Sequence, residues 1–416
     1  MKFAVPEGTA DPAAIEQAVS PNTMLEAFQR YLPPRDRGSW TRCELERVRY
    51  RPGKSWRILY RLWKDGEPGS TEAPYYFYAE FLPPARSLRR FLDLKGRGGP
   101  GAPSGFVAEL NMIYWRFPAD PRLLQLPTVY REGSWKVVSY VPTMSCVLSG
   151  QYGGEPTILK LYRDDRVERI GHVIQALHDA GVTSPRLLHI DKARRLLVLE
   201  HIPGVLFWSD PVVHLRRDVM GAMARELATL HDSQLPEATL DLLPRVSHLE
   251  REWQRFRQAS VELAQAFPSQ GERLERLQAM LEPPQGTPAT VLLHGDFHPA
   301  QFLIHHGTPR LIDYDTVCLG DPMYDLARFA SHLYYKGWLY GQETRDIEKA
   351  VSAFRSAYIA AAAVRFSAPC WFWHLAVSLV AKRAHRVLTR LEADAEPLVT
   401  HLITIAEQNA VSIVHS

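Results

Sequence analysis

Asp296 follows a short apolar run, Val291-Leu-Leu293, and sits between Gly295 and Phe297, which predicts a carboxylate on a tight loop at a strand end. A carboxylate exposed there can accept a proton from an attacking hydroxyl. Asp313 follows a second apolar pair, Leu311-Ile312. Two carboxylates on adjacent strand ends suit phosphoryl transfer, one orienting the nucleophile and the other holding magnesium. Aspartates in loops are ordinarily caps or turn residues. That reading leaves unexplained His294, His298, Gln301, Gly320-Asp321-Pro322 and Asp325, all in the same stretch.

These residues need a scaffold. Residues 11–31 have apolar positions at helical spacing and predict a helix. Three strands follow: Leu45-Glu-Arg-Val-Arg-Tyr50, Trp56-Arg-Ile-Leu-Tyr-Arg-Leu62 and Tyr75-Tyr-Phe-Tyr-Ala-Glu-Phe81. The run 95–105, rich in glycine and proline, reads as a mobile linker loop, since it joins no strand directly to a helix as a phosphate cradle would. The pattern then repeats. Val48, Tyr50, Pro52 and Ser55 recur as Val138, Tyr140, Pro142 and Ser145, and each copy continues into further strands that reach Glu80 in the first and Lys160 in the second. A helix over 167–180 stops at Gly181, and the strand Arg195-Leu-Leu-Val-Leu-Glu200 leads to the turn Ile202-Pro-Gly204. Helical periodicity dominates afterwards, at 219–230, 249–267, 346–364, 371–391 and 398–411. The short strands around Asp296 and Asp313 interrupt it. A strand-rich part followed by a helical part is an α+β arrangement.

Composition limits the function. The chain has 416 residues, more than one ordinary core, with 46% apolar and 23% charged residues, as in a globular protein. Its 49 basic and 46 acidic residues leave a net charge of +3, which gives no electrostatic case for nucleic acid. Cys43, Cys146, Cys318 and Cys370 lie far apart and read as buried free thiols of a reducing compartment. The start Met1-Lys-Phe-Ala-Val-Pro-Glu7 lacks a signal-peptide core, and the most apolar stretch, 358–381, is broken by Arg365 and Pro369. The expectation is a soluble cytoplasmic protein with no membrane partner.

His-Gly-Asp-Phe-His-Pro-Ala-Gln, then Ile-Asp-Tyr-Asp, then Gly-Asp-Pro-Met-Tyr-Asp-Leu-Ala resembles the aminoglycoside phosphotransferase family, small-molecule relatives of the protein kinases. The resemblance covers roughly 136–335 well, the C-terminal helices loosely and 1–125 poorly. It implies a two-lobed protein-kinase-like fold, with 1–125 as an additional strand-rich cap resembling a degenerate N-lobe. Residues 126–204 would be the kinase-like N-lobe and 205–416 the helical C-lobe. It implies ATP (GTP being the alternative) and Mg2+, with a small-molecule hydroxyl as acceptor. Asp296 would be the base, His294 would brace its loop with His298 beside it, and Asp325 would hydrogen-bond back to that loop. Asp313 would hold magnesium. Lys160 would contact the α- and β-phosphates, with Glu168 as the candidate partner of that lysine. Backbone groups near Glu200 and Ile202 would bind adenine.

Three departures stand out. Gln301 occupies the position of a metal-binding asparagine and is one methylene longer; a misplacement of about 1 Å in a catalytic array costs ~10²-fold in rate. Asp315, where kinases have glycine, is available as a compensating oxygen ligand. The expected phosphate-covering turn, Val141-Pro-Thr-Met-Ser145, has no glycine. Finally, Glu168 lies further before Gly181 than the family pattern implies. Gln301 and the glycine-free turn favour the rival reading, a pseudokinase-type scaffold, against which Asp296, Asp313, Lys160 and His294 are retained together. Nucleotidyl transfer onto a protein has no motif in its favour. For the acceptor, Lys382, Arg386 and Arg390, with Arg383 beside them, form either a solvated face or one meeting an anionic or neutral acceptor.

Overall fold

The computed structural model describes residues 12–51, 55–64, 74–209, 215–246, 248–284, 289–392 and 395–414. Residues 1–7 and the repeat positions 52–54 lie outside them. The chain forms two compact units, one of Met1–Glu168, Leu188–His201 and Leu388–Ala393, the other of Arg169–Leu187, Ile202–Val387 and Asp394–Ser416. The class is α+β.

The first unit opens on two helices, α1 (Pro12–Ala18) and α2 (Pro21–Tyr31), where the apolar periodicity predicts one. The break has a local cause: Pro21 has no amide to continue α1, and Ser20 caps α2 by accepting from the Thr23 amide. Strands β1 (Trp40–Arg51), β2 (Ser55–Lys64) and β3 (Tyr75–Phe81) follow. Next comes α3 (Pro84–Arg97), so part of the glycine-rich run is helical and only its later residues form the connection. Phe91 and Leu94 pack inward from this helix, and Gly98 and Gly99 end it at positive φ. After β4 (Gly105–Val107) and β5 (Met112–Arg116), α4 (Leu126–Arg131) leads to β6 (Lys136–Val141), β7 (Ser145–Tyr152) and β8 (Glu155–Tyr162). Then come α5 (Val167–Asp179), ended by Gly181 at φ 76°, β9 (Leu187–Asp191) and β10 (Leu196–Glu200).

The two sheets share one plan, β1-β2-β3-β5-β4 and β6-β7-β8-β10-β9, each with a helix after its third strand. The repeat in the sequence is therefore a repeat of topology. Strand alternation gives the first sheet two apolar faces. Val48, Tyr50, Ile58 and Phe77 pack on α1 and α2, while Leu59, Tyr78, Ile113 and Trp115 share a core with Tyr140, Leu148, Leu161 and Val198 of the second sheet.

The second unit is mostly helical. After β11 (Val205–Leu206) come α6 (Arg217–Asp232), α7 (Glu237–Leu240), α8 (His248–Ala266) and α9 (Gly271–Met280). Short strands β12 (Val291–Leu293), β13 (Phe302–His305), β14 (Thr308–Leu311) and β15 (Cys318–Gly320) follow, forming β11-β13-β14 and β12-β15 ladders. The chain ends with α10 (Pro322–Leu339), α11 (Thr344–Ala361), α12 (Ala368–Ser378), a π-helical turn over Leu379–Ala384, α13 (His385–Arg390) and α14 (Ala395–Val414). The helix read over 371–391 is thus interrupted, and a π turn shifts every later side chain around the axis. No described helix is long and apolar enough to cross a membrane. Cys43, Cys146 and Cys318 are buried free thiols, whereas Cys370 is half-buried.

Candidate active site

The loop after β12 is held from below by Asp325. This carboxylate, fully buried in the first turn of α10, accepts from the His294 amide at 2.7 Å and the Gly295 amide at 3.0 Å. His231 Nε2 lies 3.6 Å from it and its Nδ1 is 2.7 Å from the Tyr358 hydroxyl. His294 is buried too, and burial pushes its pKa down; its Nε2 lies 3.0 Å from the Ile312 carbonyl and donates to it, since a carbonyl oxygen can only accept. Thr316 Oγ1 donates to the His294 carbonyl at 2.9 Å. Gly295 has φ 78°, and a Cβ there would lie 2.3 Å from the Thr316 carbonyl oxygen, so the tight turn requires glycine. Two residues on, Phe297 is buried against Phe302, Phe329 and Phe354. Between these anchors Asp296 is left one-third exposed.

Arg328, one turn past Asp325 on α10, forms an ion pair with Asp296. Burial, and then the charges of Arg386, Arg255 and Arg251, lower its pKa to about 10 against the opposing pull of Glu252, which still leaves it protonated near neutral pH. His298 Nε2 is 3.6 Å from Asp296, beyond hydrogen-bond range, and its ring stacks on His332 at 4.5 Å. Burial, helped by Arg383 and Arg386, pushes the His298 pKa down to about 3, so this imidazole is neutral.

Asp313 has φ 71° and ψ 58°, and Gln301 Nε2 donates to its Oδ2 at 3.1 Å. The longer glutamine therefore does reach the aspartate. Turning the amide over would put its oxygen beside the carboxylate, and magnesium takes one or two carboxylates with substrate phosphates rather than an all-protein cage, so this donor set fits the ion. Asp315 is half-buried in the turn Tyr314–Thr316, next to Tyr314, whose hydroxyl donates to the Thr183 carbonyl.

Among the described residues, the structure thus groups Asp296, His294, His298, Asp313 and Gln301 in the second unit, as the motif spacing predicts. In the first unit Lys160 lies on β8 between Val147 of β7 and Leu197 of β10, almost fully buried, with its amine 5.8 Å from the Tyr162 ring. Glu168 opens α5 and holds Lys192 at 2.5 Å with its side chain nearly half exposed. Glu200 ends β10 opposite Thr157, and Ile202 follows at the start of the second unit. Of the four cations read as a basic face, two are committed to the interior: Lys382 pairs with Glu252 at 2.9 Å, and Arg383, 2% exposed, donates to Ser331 Oγ and to the Arg328 carbonyl, while Arg386 and Arg390 are half-buried. The π turn rotates Lys382 and Arg383 inward. Arg328 itself went unnoticed in the sequence, although its spacing from Asp325, three positions on, puts it on the same helix face.

A sequence profile described as the phosphotransferase enzyme family matches residues 147–368. No curated protein matches the chain. Solved structures similar to it include a spectinomycin phosphotransferase (13% identity, 66% of this chain and 92% of that one, TM-score 0.47). Others are a putative aminoglycoside phosphotransferase from Ralstonia eutropha (18%, 70% and 98%, 0.49) and a choline kinase from Cryptosporidium parvum (12%, 69% and 91%, 0.48).

Proposed function

The chain belongs to the phosphotransferase enzyme family, and on that premise we propose that it moves the γ-phosphoryl group of ATP to a hydroxyl of a small molecule, with Asp296 as the base. The observation that carries this is the clamp beneath the loop: two backbone amides held by Asp325 fix the residue before Asp296, and Phe297 fixes the residue after it. In the reaction the acceptor oxygen forms a bond to the γ-phosphorus, its proton passes to the Asp296 carboxylate, and the bond to the bridging oxygen breaks to release ADP. Arg328 orients the carboxylate, and its charge keeps Asp296 in the proton-accepting form. Neutral His298 and His332 form an uncharged wall beside the base.

Asp313 and Gln301 would hold magnesium, which neutralises charge on the phosphates when bound, and Asp315 is an added oxygen ligand in this reading. Magnesium dependence unchanged in Asp315→Asn would remove Asp315 from that role. Lys160 serves the α- and β-phosphates, Glu168 is the candidate partner of Lys160, and the segment from Glu200 to Ile202 receives the base of ATP, or of GTP as the alternative. Residues 1–125 are a cap, 126–204 the nucleotide lobe and 205–416 the acceptor lobe. The free thiols fit a cytoplasmic setting.

The test is ADP release by the purified full chain with magnesium and ATP across a panel of hydroxylated metabolites. Turnover on at least one acceptor, lost in Asp296→Asn with nucleotide binding intact, is the expected result. Nucleotide binding with no turnover on any acceptor would instead identify a pseudokinase-type scaffold.

A further inference from the structure

The turn between β6 and β7 carries a residue that its shape disfavours. Met144 donates its amide to the Val141 carbonyl at 3.0 Å, which closes a four-residue turn with Pro142 and Thr143 at its centre. Proline at the second place and a positive φ at the third, 66° at Thr143, are the type II pattern. That third place ordinarily takes glycine, because a β-branched side chain there is crowded against its own backbone. The repeat within the chain makes the exchange visible: at the equivalent position, after Pro52, the first copy has Gly53. Thr143 is buried as well. Such a conformation persists only where the surrounding structure over-determines it.

Asp120 supplies that constraint. It is fully buried in the connection between β5 and α4, and each of its carboxylate oxygens has two donors. Oδ1 accepts from the amides of Arg122 at 2.7 Å and Leu123 at 2.8 Å, which fixes the carboxylate to its own loop. Oδ2 accepts from the Tyr140 hydroxyl and from the Thr143 amide, both at 2.8 Å, which ties that loop to the end of β6 and to the middle of the turn. The tie thus reaches the very residue that carries the positive φ. Hydrogen bonds to a charged acceptor are about twice as strong as neutral ones, and a buried donor that lets go is left unmet. A buried aspartate with four donors is commonly a structural staple and nothing more. What takes this one further is the place of the turn. Glycine-rich covers close over a nucleotide and offer their amides to its phosphates. Here the tip is already held, and the Thr143 amide is committed to Asp120.

We propose, on the phosphotransferase reading in which this turn covers the phosphates of ATP, that Asp120 is a positioning residue for the nucleotide, holding the cover in place before the nucleotide arrives. A cover fixed in advance spares binding the cost of ordering it. Once released, only the molecules with the turn in place bind at full strength, so a turn in place about one-tenth of the time weakens the apparent affinity about tenfold. Asp120 lies in the last segment of residues 1–125, which gives the cap a task although it carries no catalytic loop.

The test is calorimetric titration of magnesium AMP-PNP, and separately of adenosine, into the full chain. Asp120→Asn should weaken AMP-PNP binding about tenfold and leave adenosine binding as it was, because adenosine has no phosphates for the turn to cover. Adding Thr143→Gly to Asp120→Asn should restore most of the lost affinity, since glycine adopts the positive φ without the tie. Asp36→Asn alters another buried carboxylate of the cap, one that accepts from the Tyr114 hydroxyl at 2.6 Å, and should lower the urea midpoint while AMP-PNP affinity stays as it was. If Asp120→Asn fails to fold, hydrogen exchange in the wild type decides: the Thr143 amide should exchange slowly without nucleotide and at much the same rate with it. Protection that appears only with AMP-PNP would overturn the proposal. So would AMP-PNP binding equal in the wild type and Asp120→Asn, or a loss that adenosine shares and Thr143→Gly does not reverse, which would mark a structural staple only. Absence of AMP-PNP binding by the wild type would overturn the phosphotransferase reading and the proposal with it, a result that shows before any substitution is made.

Discussion

Replacing Asp325 by asparagine tests whether the catalytic loop is positioned by this one carboxylate. The native carboxylate is fully buried and receives two backbone amides at 2.7 and 3.0 Å. Hydrogen bonds to a charged partner contribute about 1.5–3 kcal/mol and neutral ones about 0.5–1.5, so neutralising the acceptor costs about 1 kcal/mol per amide. Asparagine also offers a single oxygen, and its NH2 must face one of the two amides, which leaves a buried donor unmet at a further 1–3 kcal/mol or so. Together the loss is roughly 4 kcal/mol, read as a lower urea midpoint at unchanged slope. The catalytic consequence has the same origin. A loop that shifts by about 1 Å to relieve the clash carries Asp296 with it, and kcat should fall ~10²-fold while the KM for ATP changes little. A variant within about 0.5 kcal/mol of wild type with normal kcat would refute the clamp. One that is destabilised but turns over normally would separate the clamp from the positioning of the base.

Other changes probe the same architecture. Gly295→Ala places a methyl against the Thr316 carbonyl at φ 78°, and should destabilise the protein by about 2–4 kcal/mol and reduce turnover, measured by urea titration and ADP release. Trp115→Ala empties a fully buried position between the two sheets, and should cost about 3–5 kcal/mol and disturb the near-ultraviolet dichroism. Arg328→Ala removes the partner of Asp296; kcat should drop more than tenfold and the acid limb of the pH–rate profile should move to higher pH, because the carboxylate then protonates more readily. His298 and His332 are buried neutral, the first with its pKa near 3 and the second well below the ordinary value, whereas both take protons below about pH 6.5 once unfolded. The stability they confer is complete above pH 6.5 and is lost as pH falls through that window toward 3. Each contributes a slope of up to about 1.4 kcal/mol per pH unit. Urea midpoints measured from pH 7 to pH 5 should show this, and His298→Asn should flatten the dependence.

What could be read from the chain alone tracks how local each constraint is. Strand alternation from Leu45 to Phe81 and the helix stop at Gly181 depend on neighbours a few residues away, and both appear as read. The repeat was legible because two sheets of one topology need the same hairpin residues at the same turn. Helix α3 was hidden because two of the glycines that mark it as a loop, Gly98 and Gly99, are the ones that end it. The motif brought Asp296, His294, Asp313 and Gln301 together because adjacent loops on short paired strands leave few alternatives. It was silent on orientation. Lys382, Arg386 and Arg390 read as one face of a straight helix with Arg383 beside it, and only the π turn, a tertiary compromise around Ser331 and Glu252, sends Lys382 and Arg383 inward. That compromise bears on the acceptor: with those two cations committed behind Asp296, they cannot supply the discrimination among substrates. Discrimination must come from groups that stay outside this network, so exchanging residues on the exposed side of the loop should alter acceptor preference, while Lys382→Met should alter stability and leave that preference as it was.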